Sequence, residues 1–261
     1  MRIRRLGWAG VEMEHGGDTL LMDYVLDASG LPLRDKNTLF PPASRPKSAV
    51  VGLLTHLHGD HADAAALAEA LRPGAPVFRP AAATGAGSDL ELTAPSEAGF
   101  NRSSLDTRVV EPWTSHEAGP FGLHAVPAVD GFGDLQISWV IECGGKRIIH
   151  AGDTLFHGYW WRIARRFGPF DLAFLPINGA VVDFPFLRPP RDQEAVMTPE
   201  EAAKAACMIS ARTIVPIHYD ALHRPPLYIE TRDPLGRLRA AAGALGIEVQ
   251  VHEPGHWFDP G

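Results

Sequence analysis

VVGLLTHLHGDHADAAALAEAL, residues 50–71, is an apolar run that gives way to three histidines and two aspartates within eight positions, then to an alanine- and leucine-rich stretch. SAVVGLL has the continuous apolar character of a buried strand, and DAAALAEAL carries strong helix formers that stop at RPG. Between them runs His56-x-His58-x-Asp60-His61. A segment leaving a strand can point alternate side chains to one side, so His56 and His58 can share one cation while Asp60 and His61 turn toward a second point. Neutral imidazole and carboxylate are the usual ligands of zinc and neighbouring divalent metals. The plainer alternative is a solvated turn in which Asp60 or Asp63 caps the following helix. That accounts for one aspartate and leaves three histidines unexplained.

Two later segments repeat the pattern of an apolar strand ending in a ligand-type residue. KRIIHAGDT delivers Asp153 after a glycine that permits a sharp turn, and TIVPIHYD delivers His218. Asp153 has two oxygens and could bridge two ions. Around these lie further strand signals. RIRRLG, GVEME and DTLLMDYV open the chain, with HGGD as a hairpin turn. Residues 27–47 form a long loop, APVFRP a short strand, and residues 81–104 a loop-rich excursion. TRVVEPW, GLHAVPAV, LQISWVIECGG and KRIIHAGD make a second β block, followed by the helical GYWWRIARRFG. Then come strand DLAFLPI, helix TPEEAAKAACMIS with Thr198 and Glu201 as a capping box, strand TIVPIH, helix DPLGRLRAAAGALG and strand EVQVH. Neither linker nor repeat divides the chain. The expectation is one α/β domain over residues 1–261, two packed sheets with helices outside.

Bulk composition narrows the function. A net charge of -7 argues against a general nucleic-acid binder, and no apolar run reaches the length of a membrane span. The first residues, MRIRRLGWAGVEMEHGG, lack the apolar core of a signal peptide. Cys143 and Cys207 form no CxxC pair and are expected to be buried small hydrophobes in a reducing, cytoplasmic setting. Twelve histidines are the compositional anomaly.

THLHGDH, then HAGDT, then VPIHYD together resemble the metallo-β-lactamase superfamily. LGWAGVEMEHGGDTLLMD, FGPFDLAFLPINGA and MTPEEAAKAACMISARTIVPIHYD are similar to the branch containing ascorbate-6-phosphate lactonase and the N-acyl phosphatidylethanolamine-hydrolysing phospholipase D. The resemblance implies an αβ/βα sandwich of two mixed β-sheets flanked by helices, with two divalent metal ions at one edge, zinc first and manganese or iron as alternatives. It places His56 and His58 on the first ion, Asp60, His61 and His218 on the second, and Asp153 between them. The family's usual third histidine of the first site falls after a stretch like AVPAV, where this chain has Asp130. Asp130 is therefore expected to ligate the first ion in its place; the alternatives are that Asp130 is a turn residue before Gly131, or that His124 substitutes from within the strand.

Such a site implies hydrolysis of a lactone, another ester or a phosphodiester by a metal-activated water, with Asp60 in the acid/base role. The alternative is a catalytically inactive, metal-stabilised or ligand-binding member of the same fold, for which Asp130 is the best argument. His157 is a candidate to contact substrate and protonate a leaving group, against an exposed histidine at a helix start. Arg162, Arg165 and Arg166 form either a solvated helix face or an anion site, the former being preferred. Phe184, Phe186 and Leu187 sit in a Pro-bounded loop suited to a lid, and His223 could face the cleft. A di-iron flavoprotein relative would carry an acidic residue in place of His58 and an added flavin domain. The expected partner is therefore a small molecule, an anionic one included, with no nucleic acid and no integral membrane span; a homo-oligomer is compatible with the sequence.

Overall fold

The computed structural model describes residues 1–29, 31, 33–34, 39–186 and 192–261. Six strands form the first sheet in sequence order: β1 (Arg2–Arg5), β2 (Val11–His15), β3 (Asp18–Met22), β4 (Val51–Leu53), β5 (Pro76–Arg79) and β6 (Asp106–Val109). The chain then crosses to a second sheet through β7 (Ser115–Ala118), β8 (Phe121–Pro127), β9 (Ile137–Cys143), β10 (Lys146–His150) and β11 (Phe170–Pro176). After the short β12 (Val181–Val182) it returns with β13 (Ala211–Ile217), makes β14 (Tyr228–Ile229), and ends the sheet with β15 (Glu248–Val249). The second sheet runs β15-β13-β11-β10-β9-β8-β7, while β12 and β14 pair apart from it as a small antiparallel ribbon.

Side chains alternating along each strand build three layers of core. Leu20 and Met22 of β3, with Trp139 and Ile141 of β9, fill the space between the sheets. Their neighbours Leu21 and Val140 face outward under helices. α1 (Ala64–Ala70) and α2 (Ala94–Arg102) cover the first sheet through Leu67 and Phe100. α3 (Tyr159–Phe167), α4 (Pro199–Met208) and α5 (Pro234–Ala244) cover the second through Trp160, Ala202 and Leu238. The result is helix, sheet, sheet, helix: the αβ/βα sandwich expected from the sequence.

Local chemistry agrees with most element boundaries. The β2–β3 hairpin closes on Gly16 and Gly17, both at positive φ, with His15 opposite Asp18. Asp63 caps α1 by accepting from the Ala66 amide at 2.9 Å. Thr198 and Glu201 exchange the two bonds of a capping box, at 2.9 and 3.3 Å.

Three expectations need correction. The excursion over residues 81–104 contains α2, which the sequence hides because Pro95 opens it and only Ser96 and Phe100 are buried. The strand in TRVVEPW closes the first sheet rather than joining the second block, and β7, read as no element, forms the second sheet's edge. Cys143 is buried, but Cys207 lies on the outer face of α4 and is exposed.

Candidate metal centre

Four strands end at one edge of the sandwich, and each hands a functional residue to the same place. β4 runs out into Thr55 and His56. β10, β11 and β13 are mutually parallel, so their carboxyl ends align and deliver Asp153, Asn178 and His218. Convergence at the carboxyl ends of parallel strands is a general property of α/β sheets. The turn to Asp153 needs Gly152 at φ +65°, where an added Cβ would come within 2.8 Å of the Thr55 side chain. His218 itself sits at φ +56° and Asp23 at φ +44°. Non-glycine residues held in this region are costly and cluster at functional sites.

Asp153 is the hub. Its Oδ1 lies 2.9 Å from His61 Nε2 and its Oδ2 lies 2.8 Å from His218 Nε2 and 3.9 Å from His56 Nε2. Asp60 Oδ2 stands 3.8 Å from His61 Nε2 and 3.7 Å from His218 Nε2. Two donor sets share Asp153: Asp60, His61 and His218 on one side, His56 and His58 on the other. Yet His56 Nε2, His61 Nε2, His218 Nε2 and Asp153 Oδ1 are buried without a hydrogen-bond partner. His61 and His218 at least stand at ion-pair distance from Asp153, whereas His56 Nε2 has no carboxylate nearer than 3.9 Å, and a buried polar atom left so costs about 1–3 kcal/mol. These four atoms turned toward one another fit a site built for divalent cations, and the all-imidazole and carboxylate set suits zinc or its neighbours.

An outer ring of hydrogen bonds fixes these rings. Asp23 Oδ2 meets His61 Nδ1 at 2.8 Å and also accepts from Thr55 Oγ1 at 2.6 Å, while Thr55 Oγ1 lies 3.0 Å from His56 Nδ1. Asn178 Oδ1 faces His218 Nδ1 at 3.2 Å and its amide donates to the Tyr228 hydroxyl at 2.8 Å. Trp8 Nε1 donates to Asp60 Oδ2 at 3.0 Å. His58 Nε2 contacts Asp134 Oδ2 at 2.8 Å. Carboxylate and carbonyl partners of this kind hold a ligating imidazole in one tautomer and orientation.

Charges within the cluster are strongly coupled. Burial alone would raise the Asp153 carboxyl, but His218 and His61 beside it hold it well below the usual range. Burial would likewise lower His61, and Asp153, Asp60 and Asp23 instead push it well above its ordinary value. His56 moves the other way, driven down by burial and by the neighbouring His61 and His58.

The structure brings His56, His58, Asp60, His61, Asp153 and His218 together, as the sequence suggested. Asp130 stands with His58 and Asp134 rather than with His56 and Asp153. Its Oδ1 accepts from the Phe132 amide at 2.6 Å, an Asx turn, and its Oδ2 lies 3.2 Å from the Gln136 amide nitrogen when that amide is oriented to satisfy both its ends. His124 is elsewhere: it meets Ser115 Oγ at 2.8 Å and packs on Phe167, on the helix-covered face of the sheet. His157 stacks on Trp160, rings 5.0 Å apart and nearly parallel, and burial lowers its pKa to about 4. Arg162 and Arg166 lie over Trp113, and Arg165 over Trp161.

Beside the cluster opens a cavity of about 540 Å³, whose described lining includes Asp60, Asp153, His218, Tyr228, Phe184 and Phe186. His157, His223 and the three arginines are not among those lining residues. Leu187, grouped with the two phenylalanines in the sequence, lies outside the described residues. Sequence reasoning assigned no role to Trp8, Asp23, Thr55, Asp134, Asn178 or Tyr228. Asp23 and Asn178 do follow apolar strands, LLMD and FLPIN, the same signal that marked Asp153 and His218.

Comparison with known proteins agrees with this geometry. A beta-lactamase superfamily domain matches residues 19–219. A UPF0173 metal-dependent hydrolase of Deinococcus radiodurans is 32% identical over 98% of this chain and 97% of its own length. Another, from Thermococcus onnurineus, is 29% identical over 87% of each. Among solved structures, Igni18, a metallo hydrolase from Ignicoccus hospitalis, superposes with a TM-score of 0.65 at 20% identity, covering 99% of this chain and 98% of that one. CmlA, a diiron β-hydroxylase from Streptomyces venezuelae, shares the fold over 96% of this chain and 52% of its own, with a TM-score of 0.69 at 19% identity. The chain belongs to the metallo-β-lactamase superfamily, as a member of the UPF0173 metal-dependent hydrolase family. It is thus a metal-dependent hydrolase, and no helix among the described residues is long and apolar enough to cross a membrane.

Proposed function

We propose that the protein hydrolyses a lactone, another ester or a phosphodiester at a centre of two divalent ions, zinc in the first instance. His56 and His58 would hold one ion, Asp60, His61 and His218 the other, and Asp153 both. The observation that carries this reading is the set of three buried imidazole nitrogens, of His56, His61 and His218, that converge on Asp153 without a hydrogen bond. The continuous core between the two sheets supports treating residues 1–261 as one unit.

When bound, the ions supply Lewis acidity and a water acidified to near-neutral pKa. The chain's own residues do the rest. Asp153 stands between the two donor sets, its Oδ1 toward His61 and its Oδ2 toward both His218 and His56. Asp60 Oδ2 faces His61 and His218 and accepts the Trp8 indole N–H, so Oδ1 is the oxygen left to take a proton from the attacking water and return it to the leaving group. Asp23 and Asn178 hold His61 and His218 with Nε2 directed inward. Asp130 belongs in this account as the residue that ties the turn presenting Asp134 to His58.

Metal analysis of purified protein before and after chelation, paired with a panel of lactones, aryl esters and phosphodiesters, is the test. Two ions per chain are expected. Asp60→Ala should lower turnover by roughly 100-fold or more while leaving a cooperative thermal transition. A protein that binds no ion at micromolar concentration, or an Asp60→Ala variant with parental rates, would overturn the reading.

A further inference from the structure

The metal-facing groups are a minority of the cavity's described lining. Most of the remaining described wall is apolar: Phe132 from the Asp130 turn, Val182 and Phe184 from the segment after β11, and Leu222 and Leu227 from the segment between β13 and β14. Phe184 and Phe186 stack with centroids 5.4 Å apart, and Phe186 is partly exposed at 38%, which sets an aromatic rim on the opening. A cavity of about 540 Å³ falls in the range that encloses most of a small ligand. Among the described residues Arg224 is the one guanidinium in the lining, and it is exposed. The Arg162, Arg165 and Arg166 stripe of α3 lies over Trp113 and Trp161 and is not among the described lining. Beyond the reaction centre the described lining offers mainly apolar surface, and an apolar chain needs only to leave water to bind there.

We propose that the substrate is a carboxylic ester, open or cyclic, whose acyl part carries an apolar chain. Its carbonyl faces Asp60, Asp153 and His218, and its chain lies along Phe132, Val182, Phe184, Leu222 and Leu227. This rests on the metal-hydrolase reading above. The reaction needs water alone: its oxygen bonds the acyl carbon, the bond from that carbon to the alcohol oxygen breaks, and a proton from the water ends on the leaving oxygen.

Alkyl hydroxamic acids separate the two layers of the claim, because the hydroxamate binds metal whatever chain it carries. Calorimetric titration of the zinc-loaded full chain with acetyl, hexanoyl, octanoyl and decanoyl hydroxamates should show affinity rising about three- to fourfold per methylene until the cavity is filled. Phe186→Ser and Leu227→Asp, checked for metal content, should flatten that rise; either variant alone suffices if the other fails to fold. Equal affinity along the series overturns the apolar-chain site and leaves the metal centre standing. Failure to bind even acetohydroxamate, in protein that also takes up no zinc, overturns the hydrolase reading beneath it. In turnover, 4-nitrophenyl octanoate or γ-decalactone should exceed 4-nitrophenyl acetate and bis(4-nitrophenyl) phosphate. Faster cleavage of the phosphodiester overturns the ester assignment.

Discussion

His58 has one nitrogen to give, and Asp134 decides which. With Nε2 held 2.8 Å from the Asp134 carboxylate, Nδ1 is the lone pair left for an ion shared with His56 and Asp153. Losing such a partner typically costs 10–100-fold in metal affinity. Asp134→Ala should therefore weaken one of the two ions by about that factor, read by competitive chelator titration, with little change in the Tm of the metal-free protein. Asp130→Ala acts differently, because Asp130 organises the turn through the Phe132 amide and Gln136. It should cost roughly 1–3 kcal/mol of stability and keep two ions per chain. Loss of one ion in Asp130→Ala with both kept in Asp134→Ala would reverse the two assignments. The sequence names Asp130 from its place after AVPAV. It says nothing of Asp134, whose meeting with His58 spans 76 positions of chain and depends on how the intervening turn folds.

At the scale of the element, the site is a set of strand ends, and its precision comes from the turns that follow them. Gly152 is the clearest case. Its left-handed backbone and its contact with Thr55 leave no room for a side chain, and Thr55 in turn bonds Asp23 and touches His56. Gly152→Ala should thus destabilise the protein by about 1–3 kcal/mol and loosen metal binding as well. Parental affinity in a chelator titration of the folded variant would show that the turn is not coupled to the site. Elements with a strong local signal were legible in advance: the apolar runs of β3 and β9, the Thr198–Glu201 box, the glycine turns. α2 was not, because it buries only Ser96 and Phe100, and β7 was not, because its SHEA sequence carries no apolar alternation. Both are held by neighbours rather than by their own propensity.

For the whole molecule, the metal edge is one of the places where the two sheets are tied. Trp139 of the second sheet donates to the Leu54 carbonyl of the first at 2.9 Å, and His150 bonds the Ala9 carbonyl at 2.9 Å beneath the cluster. Ions held by residues of both sheets should add to this. Free metal at a hundredfold over Kd contributes about 2.7 kcal/mol, and for a chain of this size each kcal/mol moves Tm by about 2–4 °C. Chelated protein should accordingly melt about 5–10 °C below the zinc-loaded form, measured by calorimetry; coincident transitions would show that the centre does not bear on the fold. The sequence by itself pointed to the two-sheet sandwich and to six residues that the structure gathers at one edge, because apolar runs and ligand-type residues at their ends are local properties written along the chain. The tertiary structure alone decided the outer ring of Trp8, Asp23, Asp134 and Asn178, the stacking of His157 on Trp160, the withdrawal of His124 to the far face, and the apolar wall beside the metals. Apart from the His157–Trp160 stack, which joins neighbours three residues apart, each of these is a contact between distant segments, fixed by tertiary packing and not by any pattern within one of them.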